Sequence, residues 1–455
     1  MDTPVCDFVE GYARSGRVRL HMPGHKGKPI LGMEPWDITE IPGADSLYEA
    51  EGIIRRSQEN ASDLFGCPTF YSAEGSSLCI RAMVFLAAQY AGSRGRRPLI
   101  LAARNAHKTF LTAVAVLNVP VRWLYPEREE AYLACPVTPE DLERELTNGE
   151  LPIAVYLTSP DYLGNQANIA ALAAVCQKHD VLLLVDNAHG AYLRFLPESA
   201  HPMDLGADLC CDSAHKTLPV VTGGAYLHIS PQAPKEMGEN ALRALALFGS
   251  TSPSYLILQS LDLCAAALAG DWPARLAACI GEVEALKRDL TALCPGLVRP
   301  SEPLKVVLDG GALGCTGQAL ADLLRACKVE CEYADRQYVV LMFAPDNLPR
   351  DYGRVRQAAA EALRRRAPRA ALPALPAGIW ARLAAEAAPR RTIRQAVFAR
   401  QELVAAGQAL GRVCALPTVA CPPAIPIAVS GEAIGPAAVE LFRLYGVEQV
   451  AVLTE

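Results

Sequence analysis

Between about residues 57 and 230, short apolar runs ending in turn residues alternate with longer Ala- and Leu-rich stretches of helical spacing. This alternation predicts repeated β-α units around a mainly parallel sheet. The clearest strand candidates are 153–157, 181–185, 208–211 and 224–229, with a further strand-like run at 98–102. The run Ile153 to Leu157 ends at Thr158-Ser159-Pro160, and the run Val181 to Val185 ends at Asp186. Polar residues therefore stand at the carboxyl ends of predicted strands, where open α/β sheets bind ligands.

From about residue 281 the pattern changes to an amphipathic helix (281–293), strands near 304–308 and 338–343 and a helix near 316–327. A smaller C-terminal α/β domain is expected there. The division expected is an N-terminal arm over 1–45, rich in Gly, Pro and His, a major domain over 46–280 and C-terminal structure over 281–455. Residues 364–378, rich in Pro, Ala and Arg, read as an extended connector. No repeat of 20–50 residues is visible.

At 455 residues the chain is long enough to sustain a large core without staples. Its 15 cysteines are odd in number and form no C-x-x-C pair, and no secretory n-region with an apolar h-region opens the sequence. A reducing, cytoplasmic setting is expected. No cysteine spacing matches a tetrahedral zinc site, so no metal is expected. A net charge of -6 and a pI near 5.9 argue against a nucleic-acid partner. The long uncharged stretches 245–261 and 414–431 carry polar residues or several prolines, which argues against a membrane span.

Lys216, in Asp212-Ser213-Ala214-His215-Lys216-Thr217, follows a predicted strand, with Ser213 and His215 beside it as phosphate donors. A lysine that holds pyridoxal 5'-phosphate (PLP) as a Schiff base must be reachable, rigidly placed and near a phosphate site. Taken alone, the segment fits an exposed loop lysine equally well. Asp186 ends the most apolar strand, where a carboxylate is costly without a positive partner such as a protonated pyridine nitrogen. A helix-capping aspartate is the other reading.

Gly75-Ser76-Ser77 opens the helical run 78–91, placing hydroxyls and free backbone N–H groups where a phosphate would bind, although serine also caps helices for stability. His107 follows the strand-like run 98–102 and either reaches the same crevice, where its ring would stack on a flat cofactor, or lies in a surface loop. The ordered set Gly-Ser-Ser, His, Asp, Lys across β-α units carries more weight than any member.

These residues, together with Leu20-His21-Met22-Pro23-Gly24-His25-Lys26-Gly27, Asp37-Ile38-Thr39-Glu40, Asp45-Ser46-Leu47, Asp186-Asn187-Ala188-His189-Gly190-Ala191, His215-Lys216-Thr217-Leu218 and Thr251-Ser252-Pro253-Ser254-Tyr255, carry a resemblance. The sequence resembles the bacterial ornithine/lysine/arginine decarboxylases, particularly their shorter forms, over most of its length. The resemblance implies the PLP-dependent transferase-like fold (fold type I), with a mainly parallel seven-stranded sheet in the large domain. It makes Lys216 the Schiff-base lysine, Asp186 the pyridinium partner and His107 the ring-stacking imidazole, with Ala188 on the opposite ring face and His189 beside the cofactor. Gly75, Ser76, Ser77, Ser213 and His215 would hold the phosphate. A homodimer with shared active sites is implied, Thr251 and Ser252 reaching across the interface.

The expected reaction is decarboxylation of a basic L-amino acid, arginine first, then lysine or ornithine, to a polyamine precursor. A long cationic side chain needs an acidic pocket end; of Asp45, Glu49, Glu51, Glu330, Glu332 and Asp335, the first choices are Glu330 and Asp45. The sequence departs from the family pattern at Asp161, Leu163, Tyr192 and Ala424, the last within Pro422-Pro423-Ala424-Ile425-Pro426 ahead of Ser430-Gly431-Glu432. A PLP aminotransferase or lyase is the alternative enzyme, and the departures motivate a catalytically silent regulatory subunit as the alternative of another class.

Overall fold

A computed structural model describes residues 1–126, 134–365, 375–419 and 426–454. Residues 366–374 of the expected connector and 422–425 of the tail motif lie outside the described residues.

The principal sheet has seven strands: β1 (Thr69–Ser72), β2 (Ile100–Ala103), β3 (Val121–Leu124), β4 (Ala154–Thr158), β5 (Leu182–Asp186), β6 (Leu209–Asp212) and β7 (Ala225–Ile229). Their spatial order is β1-β7-β6-β5-β4-β2-β3. β2 pairs parallel with β3 and β5 with β6, whereas β7 runs antiparallel to both β6 and β1. The five residues of β5 are all buried, as expected of a strand covered on both faces by helices. Each strand expected from the apolar runs appears within two residues of its expected start; β1 and β3 are additions.

Contacts divide the chain into two units. The first comprises 1–98, 146–157 and 169–274, and the second 99–145, 158–168 and 275–455. The first begins with helix Pro4–Arg14, whose Val5 and Val9 are fully buried, so part of the expected arm is core. Asp262 holds that helix by accepting the Val5 and Cys6 N–H groups at 2.9 and 3.0 Å.

The second unit contains a four-stranded antiparallel sheet built from β8 (Val298–Arg299), β9 (Lys305–Asp309), β10 (Tyr333–Ala334) and β11 (Tyr338–Met342) in the order β10-β11-β9-β8. Val307, Tyr333, Tyr338 and Val340 of this sheet share a core with Leu163, Trp380, Ile434 and Phe442. Among the described residues no single helix is long and apolar enough to cross a membrane. Helices Tyr255–Leu268 and Trp272–Leu293 reach that length and composition only together, and are bent by 81°.

Candidate active site

β5 and β6 lie in parallel register with Asp186 opposite Cys211, so both strands end at one edge of the sheet. Asp186, the last residue of β5, is only 2% exposed. Tyr156 of β4 donates its hydroxyl to Asp186 Oδ2 at 3.1 Å, and the Ala188 N–H donates to Oδ1 at 3.2 Å. Burial and then the Asp186 charge push the Tyr156 hydroxyl far above its ordinary pKa, so it stays a donor. Asp186 closes a turn rather than capping a long helix, since the chain continues as Asn187–Gly190 and one short helical stretch, Ala191–Phe195. Among the described residues no Lys, Arg or His lies within ion-pair distance of it. A buried carboxylate that has hydrogen-bond donors but no cation fits a protonated ring nitrogen.

β6 leads through Ser213 into a single helical turn, Ala214–Thr217. The Lys216 N–H bonds Ser213 O at 3.0 Å, and both the N–H and the Nδ1 of His215 are held by Gly224 O, at 3.2 and 3.0 Å. Lys216 is half-buried and its Nζ lies 2.9 Å from His189 Nε2, which is not the setting of an exposed loop lysine. Sequence positions 27 residues apart thus meet at one amine.

Gly75, at φ +70°, turns the chain into helix Ser76–Ser93. An L side chain is strained in that conformation, which explains the glycine. The Gly75 N–H is held by Gly223 O at 2.7 Å, and Ser213 donates its hydroxyl to Ser76 Oγ at 2.7 Å. Ser76, Ser77 and Ser213 therefore gather at the start of an 18-residue helix, where the helix dipole and first-turn N–H groups favour an anion. The residues present fit both ends of PLP.

The other expected site residues have the following surroundings. His107 belongs to the second unit, where its Nδ1 caps helix Lys108–Leu117 by accepting the Thr109 N–H at 3.2 Å. Thr251 and Ser252 are exposed ahead of helix Tyr255–Leu268. Asp45, first choice for substrate, instead accepts N–H bonds from Ser46, Glu51, Gly52, Ile54 and Arg55 and caps helix Ile53–Phe65. Glu330, the other first choice, is a surface partner of Arg325 at 2.8 Å. Backbone amides and a neighbouring cation already occupy both carboxylates. The departures at 161, 163 and 192 are buried: Leu163 joins the core of the second unit, Tyr192 is fully enclosed, and Asp161 closes a turn with Asn165.

Sequence reasoning did not single out Tyr156, Asn187, His201, Asp212 or His228. Asp212, fully buried at the end of β6, accepts His201 Nε2 at 3.0 Å and His228 Nε2 at 3.1 Å on Oδ2, and Asn187 Nδ2 at 2.7 Å on Oδ1. Burial opposes its charge, yet the two imidazoles hold its carboxyl below the ordinary range. His201, Cys210 and Asp212 bring metal-binding atom types within 4.8 Å of one another, but these groups already hydrogen-bond to each other. A polar residue ending an apolar strand was the signal that could have found Asp212, as it found Asp186.

The model of the "Orn/Lys/Arg decarboxylase, major domain" family matches residues 3–307. An arginine decarboxylase of Bacillus subtilis (strain 168) is 27% identical over 471 residues, covering 95% of this chain and 91% of the relative. An arginine decarboxylase of Halalkalibacterium halodurans is 26% identical over 472 residues, covering 95% and 91%. The crystal structure of the Francisella novicida lysine decarboxylase superposes with a TM-score of 0.79 at 16% identity, covering 99% of this chain and 81% of that one. With a family match over most of its length, a seven-stranded mostly parallel sheet and the Asp186–Lys216 edge, the chain belongs to the Orn/Lys/Arg decarboxylase family.

Proposed function

We propose that the chain is a PLP-dependent decarboxylase of a basic L-amino acid, with arginine the first substrate to test. The observation that carries this reading is Asp186, a buried carboxylate that takes hydrogen bonds from Tyr156, Ala188 and Cys211 and meets no cation among the described residues, on the same sheet edge as the Lys216–His189 pair. Arginine comes first because relatives aligned over nearly the whole chain bear the name arginine decarboxylase.

In this reading Ser76, Ser77, Ser213 and the first N–H groups of helix Ser76–Ser93 bind the phosphate, with His215 beside them. Asp186 holds a proton on the ring nitrogen, its own charge stabilised by Tyr156 and the Ala188 amide. When bound, PLP supplies the electron sink for the bond pair left on the α-carbon as CO2 departs. Lys216 provides the amine that links the cofactor. His189 Nε2, 2.9 Å from Lys216 Nζ, accepts a proton from that amine and is placed to return one. Ala188, small and buried, would cover the ring face opposite His107.

Loading the purified protein with PLP should give a visible absorbance band that Lys216→Ala lacks. Incubation with arginine, lysine or ornithine should then release CO2 and the matching amine. No band, or no amine from any of the three, would reject the proposal.

A further inference from the structure

We propose that Asp212 is a positioning residue that, through Asn187, locks the Asp186–Gly190 turn to the Ser213–Lys216 segment. The inference rests on the functional reading above and adds what keeps Asp186 and Lys216 in one mutual geometry.

Asp212 is continuous with Ser213, whose carbonyl holds the Lys216 N–H and whose hydroxyl meets Ser76. Asn187 is continuous with Asp186, and its own N–H bonds Cys211 O at 3.0 Å. The 2.7 Å bond from Asn187 Nδ2 to Asp212 Oδ1 therefore joins the chain segments of the two functional residues side chain to side chain. The amide orientation is fixed, because a flip would set Asn187 Oδ1 against the Asp212 carboxylate. A Cβ at Gly190 would lie 2.0 Å from Asn187 Oδ1, so the amide occupies space that the glycine leaves open.

The far side of Asp212 is equally constrained. His201 Nδ1 accepts the Met203 N–H at 3.3 Å, which leaves its Nε2 as the protonated nitrogen that donates to Asp212. His228 donates from Nε2 while its Nδ1 meets Thr69 Oγ1 at 2.9 Å, and both imidazoles pack on Phe65, 5.6 and 4.5 Å between ring centroids. Three N–H donors from separate segments converge on one carboxylate. An asparagine at 212 has a single acceptor oxygen, so either Asn187 or the histidines would face its NH2 group.

The test uses the full chain. Asn187→Ala removes the link but leaves Asp212 with its histidines, so the fold should survive. In the cofactor-free protein, amide hydrogen exchange should quicken together in 186–190 and 213–217. In the loaded enzyme turnover should fall roughly 10- to 100-fold, with KM for the amino acid little changed and the pH midpoint of the visible band displaced. Because both side chains serve one link, Asn187→Ala combined with Asp212→Asn should be no worse than Asp212→Asn alone. Wild-type exchange in both segments of Asn187→Ala, or additive losses in the double variant, would overturn the proposal. If the wild type forms no Lys216-dependent band, the cofactor reading fails, while exchange in the cofactor-free protein still decides whether the lock exists.

Discussion

Asp161, only 4% exposed, keeps both carboxylate oxygens on Asn165, at 2.9 Å from its N–H and 2.8 Å from its Nδ2. Lys305 Nζ stands nearby, bonded to the Asp161 carbonyl at 3.1 Å and paired with Glu302 at 2.9 Å. Burial outweighs the Asn165 bonds and the Lys305 charge and raises the Asp161 pKa to about 6. A carboxyl raised above its unfolded value takes up its proton more readily in the folded state. Its contribution is therefore most favourable below about pH 4 and is lost as pH rises to about 6, an effect of about 3 kcal/mol. Asp161→Asn has no such titration. Denaturant unfolding of both proteins from pH 4 to 7 should show wild type losing stability relative to the variant across that range. A constant difference between the two curves would mean that Asp161 titrates as an ordinary surface carboxyl.

The segment around Ser430-Gly431-Glu432 shows how one element depends on a distant one. Glu432, buried, receives Arg104 Nη2 at 2.9 Å and the Val429 N–H at 2.9 Å, while the Arg104 guanidinium lies over Trp123 and Tyr125 at 5.1 and 5.6 Å. Removing one member of such a pair strands the other, so Glu432→Ala should cost roughly 3–5 kcal/mol by denaturant unfolding. Replacing both partners with apolar residues, as in Arg104→Met with Glu432→Leu, should recover most of that loss. Gly431 has φ +90° and a Cβ there would lie 2.3 Å from Arg391 O, so this glycine is required by the turn. Glycine and glutamate were legible in the tail as a motif, but their partners, Arg391 and Arg104, were not. The same division runs through the fold. β4 to β7 were readable as compact apolar runs, whereas β1, Thr-Phe-Tyr-Ser, becomes a strand through antiparallel pairing with residues 225–228. Helix Pro4–Arg14 was hidden by averaging composition over 45 residues, although Val5, Val9 and Tyr12 carry a helical period. In the site, Lys216 and Asp186 were visible as strand ends, while Tyr156, Asn187 and Asp212 gain meaning only from neighbouring strands 25 or 30 residues away in sequence.

At the scale of the whole molecule, the stretch after the first helix leaves Leu20 at 90%, Leu31 at 85%, Val18 at 81% and Ile30 at 80% exposure. So many large apolar side chains on one short segment favour association with another surface. This supports the homodimer that the family resemblance implies, and sedimentation of the purified protein should give twice the mass of one chain. Thr251 and Ser252, exposed in the single chain, are the residues proposed to reach the neighbour's phosphate site. Sharing has a consequence that a self-contained site lacks. Lys216→Ala and Ser252→Asp should each be nearly inactive, the second because a carboxylate would face the phosphate. When the two chains are unfolded together and refolded, a mixed dimer places both lesions in one site and none in the other. With random pairing, about a quarter of wild-type turnover should return on mixing. If mixing restores nothing while Ser252→Asp alone is inactive, Ser252 serves the site of its own chain, and the shared-site arrangement is wrong.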